Sequence, residues 1–317
     1  MGRPCFVWVT TARRPSRLVA SADAPVVVGL IGTGRMGLPI CARLLAAGHE
    51  LAACDRRPEC ERGVHALGAA WVADALELAT RADVLLTVLP GSPELSELMP
   101  GVLAALRPGS TWIDLTSADP RVAGPLHELA AARGVESLEA PMGGGPQAAV
   151  DGQLELFVGG SPAAVERHRP LLEAFGRVHH VGASGAGYTT KLLANLLWFA
   201  QAVAAGEALL IARQSGLDLG AVHEALTASA ADSRFLREHV RGLLDGDYLD
   251  SFGLDRVCEE LDAVTGLAKD LGLTAELSTR VRDVHMRALI RYGPVDGELR
   301  AVQLLEEETG TRLRLDA

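Results

Sequence analysis

The sequence predicts a doubly wound α/β domain followed by an all-α domain, the two joined by one long helix. Three observations carry this expectation. Short apolar runs rich in β-branched residues alternate with helical patterns through the first half, the rhythm of parallel strands and crossover helices. A glycine-dense turn, Gly32-Thr33-Gly34-Arg35-Met36-Gly37, stands between the first apolar run and the first helical pattern. From Tyr188 onward only helical periodicity remains. The chain has 317 residues, 48% of them hydrophobic, which suffices for two domains of ordinary size.

The elements follow in order. Residues 1–24 carry Arg3, Arg13, Arg14 and Arg17 and no acid before Asp23. Their apolar piece, Phe6 to Val9, is too short for the core of a signal peptide, so they are expected to be a disordered leader or a start assigned too early. Residues 25–186 form the expected α/β domain. Residues 26–31 read as a buried parallel strand, the glycine turn follows, and residues 38–47 read as a helix stopped by Gly48. Further strands are expected at 50–54, ending on Asp55, and at 82–89, 110–116, 135–139 and 153–160. Residues 187–317 form the expected helical domain. Its helices span 188–214, 219–230, 235–244, 254–271, 276–290 and 297–308, punctuated by Gly216, Gly246, Gly272 and Gly293.

Charge and composition narrow the function. A formal net charge of -10 argues against nucleic acid or an anionic membrane as the main partner, because both select a basic face. No apolar run reaches the roughly 18 residues of a membrane span. The five cysteines lack paired metal spacing, so no metal site is expected and the thiols read as reduced, in a cytoplasmic protein. The long apolar helix needs more cover than one small helical domain supplies, which points to a homodimer or homotetramer.

The glycine turn meets the demands of a dinucleotide site of Rossmann type. Gly32 permits the tight turn, Gly34 lets the backbone approach a pyrophosphate, and Gly37 lets helix and strand pack closely. Asp55 ends the next strand, near the roughly 20-residue offset of an acid that binds adenosine ribose. Its carboxylate leans the cofactor toward NAD, while Arg56 and Arg57 could instead clamp the 2′-phosphate of NADP or simply be solvated surface arginines. Ligands of such sheets bind beyond the carboxyl ends of the strands, so Leu89, Pro90, Thr116 and the loop at 140–145 are expected contacts. In that loop Gly143, Gly144 and Gly145 offer backbone amides to an anionic or carbonyl group; the alternative is a flexible loop. Lys191 opens a stretch with no other charge until Glu207, and Asn195 lies one turn further on the same face. A buried ammonium must be paired, neutralised or used, and burial moves its pKa toward values that suit proton transfer. A lysine snorkelling to water is the alternative.

These motifs, in this order, resemble the β-hydroxyacid dehydrogenases, the family of 3-hydroxyisobutyrate dehydrogenase and tartronate semialdehyde reductase. The likeness runs from about Val26 to about Glu308. The segment 29–37 is similar to the family's cofactor signature, 112–120 to a stretch beside the nicotinamide, 139–145 to the substrate motif and 185–195 to the catalytic motif. The resemblance implies NAD(P)-dependent hydride transfer between an alcohol and a carbonyl. Lys191 would be the general acid/base, Asn195 would hold substrate and lysine in register, and the amides of Gly144 and Gly145 would bind the acidic end of a small substrate. Gly32, Thr33, Gly34, Arg35, Met36, Gly37, Asp55, Arg56, Leu89, Pro90 and Thr116 would form the cofactor site, with Thr116 also at the substrate.

Three departures from the family pattern stand out. Gly143 replaces a serine, Ala194 replaces an asparagine, and Glu259-Glu260 replace a Lys-Asp pair seven residues after Phe252. A Lys-Asp pair does occur later, at Lys269-Asp270. An anion in place of a site cation implies a substrate that is bulkier, neutral, or bears an amine for Glu259; glutamates on a solvated helix face are the alternative. An imine reductase on the same fold and a non-catalytic cofactor-binding protein are the competing readings. Lys191 with Asn195 argues against both.

Overall fold

The structure, a computed structural model, describes residues 26–315, so the expectation for residues 1–24 lies outside the described residues. The elements are β1 (Val26–Ile31), α1 (Gly37–Ala46), β2 (Leu51–Cys54), α2 (Glu61–Leu67), β3 (Ala70–Trp71), α3 (Ala75–Arg81), β4 (Ala82–Thr87), α4 (Ser92–Ala105), β5 (Thr111–Asp114), α5 (Pro120–Ala132), β6 (Glu136–Glu139), β7 (Met142–Gly143), α6 (Gly145–Asp151), β8 (Leu154–Gly159), α7 (Pro162–Leu172) and β9 (Gly176–Gly182). Seven further helices follow: α8 (Ala186–Gln214), α9 (Leu219–Thr227), α10 (Arg234–Glu238), α11 (Val240–Asp245), α12 (Leu254–Asp270), α13 (Glu276–Tyr292) and α14 (Arg300–Thr309).

The sheet runs β3-β2-β1-β4-β5-β6-β8-β7, with β9 beside β8. Strands β1 to β6 are mutually parallel; β8 reverses against β6, and β9 runs parallel to β8. Alternation of side chains sends successive residues to opposite faces. Leu86 and Ile113 join the core under α1, α2, α6 and α7, whereas Leu85 and Trp112 join the core under α3, α4 and α5. Both faces are therefore covered, which is why these strands read as nearly continuous apolar runs. Burying a leucine as fully as Leu85 or Leu86 is worth about 1.5–3 kcal/mol.

Three strands were not foreseen. β3 and β7 have two residues each, too few for a periodic signal. β9, with Arg177, His179 and His180, pairs only with β8 at the edge, so its outward positions tolerate polar residues. The helix expected at 235–244 is broken at His239, whose backbone leaves the helical region between α10 and α11.

The helical half builds a third core from α8 through α14, and a smaller one where α12 and α13 meet α8. At Gly206 the missing side chain lets α14 close on α8, since a Cβ there would stand 2.9 Å from a methyl of Val302. By length and composition α8 alone among the described helices could cross a membrane. Its Leu192, Phe199, Val203, Leu209 and Leu210 instead lie in the protein interior.

Candidate active site

The turn after β1 has the shape that a dinucleotide requires. Gly32 takes φ 99°, a conformation open to glycine, and a Cβ on it would run into the Val88 carbonyl. A Cβ on Gly37 would run into the carbonyl of Gly32, so helix α1 could not start so close to the turn. Protein packing thus demands the first and third glycines. The second does not pack: near a Cβ on Gly34 there is only the Arg57 guanidinium, 3.3 Å away. Its outer side faces open space at the start of α1, whose first turn holds no acid. Free amides and an uncompensated helix dipole at that point fit a pyrophosphate.

The other expected cofactor residues divide by contact. Thr33 is buried, and its backbone N–H donates to Asp55 at 2.8 Å. Met36 packs on the core. Arg35 spans to the helical half, donating to the Ser251 carbonyl at 2.9 Å and pairing with Asp296 at 2.9 Å. Arg56 is exposed. Asp55 is not free, contrary to the reading that leaned on it for ribose. Arg57 clamps it through Nε at 3.0 Å and Nη2 at 3.1 Å, and its own N–H at 3.0 Å completes the grip.

Beyond the carboxyl ends of β4 and β5 lies a buried polar network that sequence inspection missed. Asp114, the last residue of β5, is fully buried and accepts from Thr87 Oγ1 at 2.6 Å, Tyr188 Oη at 2.7 Å and Thr116 N at 3.1 Å. Thr116 Oγ1 in turn accepts from Leu89 N at 3.1 Å, which ties together two of the expected cofactor contacts. Trp112 Nε1 donates to Thr87 Oγ1 at 2.9 Å. His127 lies 3.0 Å from Tyr188 Oη and 2.8 Å from Ser137 Oγ. An arrangement that satisfies every member has His127 neutral and donating from Nε2, Tyr188 and Thr87 donating onward, and Asp114 accepting as a carboxylate. Burial alone pushes Asp114 above the usual carboxylate range, and its donors oppose that. Burial also depresses His127 to about 4.

Helix α8 is fastened at its first turn to the same edge of the sheet. Tyr188 reaches Asp114 at the end of β5. Glu139, the last residue of β6, accepts from the backbone N–H groups of Gly185 and Gly187, the latter at 3.2 Å. Gly187 and Gly159 leave room for that carboxylate, since a Cβ on Gly187 would lie 2.8 Å from Glu139 Cγ and one on Gly159 would strike Glu139 Oε1. One turn further on, the partly buried Lys191 donates from Nζ to Asn195 Oδ1 at 3.1 Å. Asn195 Nδ2 donates to Glu260 on α12, a carboxylate only 7% exposed. Burial lowers Lys191 below the ordinary lysine range, while Glu260 and Glu298 pull it back. Burial raises Glu260, opposed by Lys191 and by the Asn195 hydrogen bond.

The substrate-loop glycines lie at the β7 to α6 turn. Gly143 pairs with Glu155 across β7 and β8, and a Cβ on it would rest 3.5 Å from the Phe157 ring. Gly144 and Gly145 take φ 112° and 72°, and nothing lies within 4 Å of a Cβ on Gly145. Glu259 corrects the reading that aimed it at substrate. It accepts from Ser92 N at 2.9 Å and pairs with Arg256 at 2.9 Å, and Arg256 also binds Glu94 at 2.7 Å. The carboxylate beside Lys191 and Asn195 is Glu260. Among the described residues no cluster of His, Cys, Asp and Glu could hold a metal.

Comparison with known proteins gives the family of this fold. Residues 27–184 match the family model described as the NAD binding domain of 6-phosphogluconate dehydrogenase. Residues 185–305 match the model described as NAD-binding of NADP-dependent 3-hydroxyisobutyrate dehydrogenase. The chain is 32% identical to 2-hydroxy-3-oxopropionate reductase of Escherichia coli over 254 residues, 78% of this chain and 85% of the relative. It is 29% identical to a probable 3-hydroxyisobutyrate dehydrogenase of Mycobacterium tuberculosis over 277 residues, 85% of this chain and 94% of the relative. The solved structure of M. tuberculosis 3-hydroxyisobutyrate dehydrogenase with L-serine superposes with a TM-score of 0.81 at 27% identity, covering 89% of this chain and 99% of that one. With both halves matched and its relatives spanned nearly end to end, the chain belongs to the β-hydroxyacid dehydrogenase family, nicotinamide-dependent enzymes that act on hydroxyl groups.

Proposed function

We propose that the protein transfers a hydride between a nicotinamide dinucleotide and an alcohol/carbonyl substrate, with Lys191 as general acid/base. The observation that carries this reading is the Lys191–Asn195–Glu260 chain, held near the carboxyl edge of the sheet by Asp114 and Glu139. The nicotinamide supplies or accepts the hydride when bound. The protein's own residues handle the proton. In reduction the Lys191 N–H bond breaks as an O–H bond forms on the carbonyl oxygen, and oxidation reverses this. Asn195 aims the ammonium by accepting from it, and Glu260 fixes which end of the Asn195 amide faces Lys191.

The substrate we infer is a hydroxy or carbonyl compound that is bulkier, neutral or amine-bearing rather than a plain short acid. Gly143 offers no side-chain donor to a carboxylate, and the carboxylates of Glu260 and Glu298 both act on the one ammonium of Lys191. Glu259 lends no support, since its partners are Arg256 and Ser92. The unpaired thiols of Cys41, Cys54, Cys60 and Cys258 suit a reducing, cytoplasmic setting. Leu193, Leu197 and Ile211, exposed in one stripe along α8, support a homodimer or homotetramer. A monomeric mass by light scattering would refute that assembly.

The test, run on wild type and Lys191→Met, is consumption of NADH and NADPH with carbonyl substrates and their formation from NAD+ and NADP+ with alcohols. The panel holds tartronate semialdehyde, 3-hydroxyisobutyrate in the oxidative direction, and amino-bearing analogues. Lys191→Met should lose ~10²–10⁴-fold in rate, the usual share of a positioned acid. Equal rates would remove Lys191 from the chemistry. Brisk, specific turnover of the plain acids would overturn the substrate class.

A further inference from the structure

The adenosine end of the cofactor site carries a feature that the glycine turn alone does not explain. Asp55 is only 7% exposed, and its acceptor capacity is filled. Oδ1 takes the N–H and Nε of Arg57, and Oδ2 takes Nη2 of Arg57 and the N–H of Thr33. Burial by itself would raise this carboxyl, but the bonds from Arg57 and Thr33 hold it below the usual range, so it stays an anion firmly paired to Arg57. A ribose diol that needs Asp55 as acceptor must first displace a two-toothed guanidinium. Arg57 is differently placed. It commits Nε and one Nη2 hydrogen to Asp55, its side chain stays half exposed, and Nη2 lies over Gly34 at the phosphate turn. Exposed Arg56 stands beside it. The three side chains together leave one net positive charge where a 2′-phosphate would lie and where a bare hydroxyl needs none.

We propose that Arg57 sets the cofactor: by occupying Asp55 and presenting its remaining donors outward, it makes the site prefer NADP(H) to NAD(H). This rests on the dinucleotide reading above and reverses the preference that Asp55 suggests from sequence.

The experiment is fluorescence titration of the full-length protein with NADPH and with NADH, without substrate, so that hydride transfer does not enter. Wild type should bind NADPH about 10–100-fold more tightly than NADH, the range expected for hydrogen bonds to a charged group. Arg57→Ala should release Asp55, weaken NADPH and strengthen NADH, so that the ratio falls to one or below. Arg57→Lys, which keeps the charge without the fork, should lie between the two. Tighter binding of NADH by wild type, or an unchanged ratio in Arg57→Ala, would overturn the role of Arg57 while leaving the dinucleotide site standing. Failure of wild type to bind either nucleotide would overturn the dinucleotide reading and this proposal with it.

Discussion

Replacing Glu260 with Gln removes a charge from the reactive lysine while keeping an oxygen for the Asn195 amide. Burial depresses Lys191, and Glu260 is the first of the two carboxylates that oppose it. One amide separates them, with Lys191 Nζ 3.1 Å from Asn195 Oδ1 and Nδ2 bonded to Glu260. Unit charges ~7 Å apart at an effective dielectric of ~20 interact by about 2 kcal/mol. Losing that interaction should lower the Lys191 pKa by a further one to two pH units. The sign follows from the lysine's role. Carbonyl reduction needs the ammonium, so its basic limb of kcat/KM against pH should move to lower pH by that amount. Alcohol oxidation needs the neutral amine, so its acidic limb should move the same way. Both limbs are read from initial rates across pH 6 to 11, with thermal unfolding as the check that Glu260→Gln folds. A limb that stays in place, or moves to higher pH, would show that Glu260 does not act on Lys191 through its charge.

Tyr188→Phe should remove a hydrogen bond from the buried Asp114 and strand the His127 Nε2 proton, costing about 1–3 kcal/mol in chemical denaturation. Because Tyr188 precedes Lys191 by less than one turn, kcat should fall while KM for cofactor changes little; matched losses in both would refute the positioning role. Acid should destabilise the protein in a defined window. His127 and His285 are buried and depressed to about 4, so both are neutral when folded, whereas the unfolded chain protonates them below about 6.5. Stability is therefore complete above pH 6.5 and is lost as pH falls toward 4, by about 2 kcal/mol per histidine at pH 5. His285→Phe should remove its share of the difference between urea midpoints at pH 7 and pH 5, and an unaltered difference would refute the assignment.

The parts of this molecule that were legible in its sequence are the ones fixed by local chemistry. The glycine turn works through backbone geometry within six residues, and Lys191 with Asn195 works through one helical turn, so each can be read without knowing what packs nearby. Glu259 and Glu260 show where that stops. Adjacent helix residues point about 100° apart, and the rotation of α12 decides which of them meets α8. The clue was present, because Leu254, Val257, Leu261 and Val264 form the buried stripe of α12 and Glu260 borders it while Glu259 lies nearly opposite. The Asp114 network had no such clue. Thr87, Asp114, His127 and Tyr188 come from four separate elements and meet only when the sheet is assembled. The Asp55–Arg57 clamp was hidden differently: the two residues lie two apart in sequence, but whether an arginine turns back to a carboxylate or out to water is decided by the turn that holds them.

The fastening of α8 has a mechanical consequence. The helix has 29 residues, so it is a rod of roughly 43 Å. Its bonds to Glu139 and Asp114 lie in the first turn, and Lys191 sits about 7 Å along the axis from the start. If the helical half tilts by ~5° about that anchored end, the far tip of the rod swings by ~4 Å while Lys191 moves by ~0.6 Å. The pivot and the proton donor nearly coincide. The long arm can follow breathing, docking or closure of the helical half, and the amine stays within a fraction of an ångström of its station above the sheet.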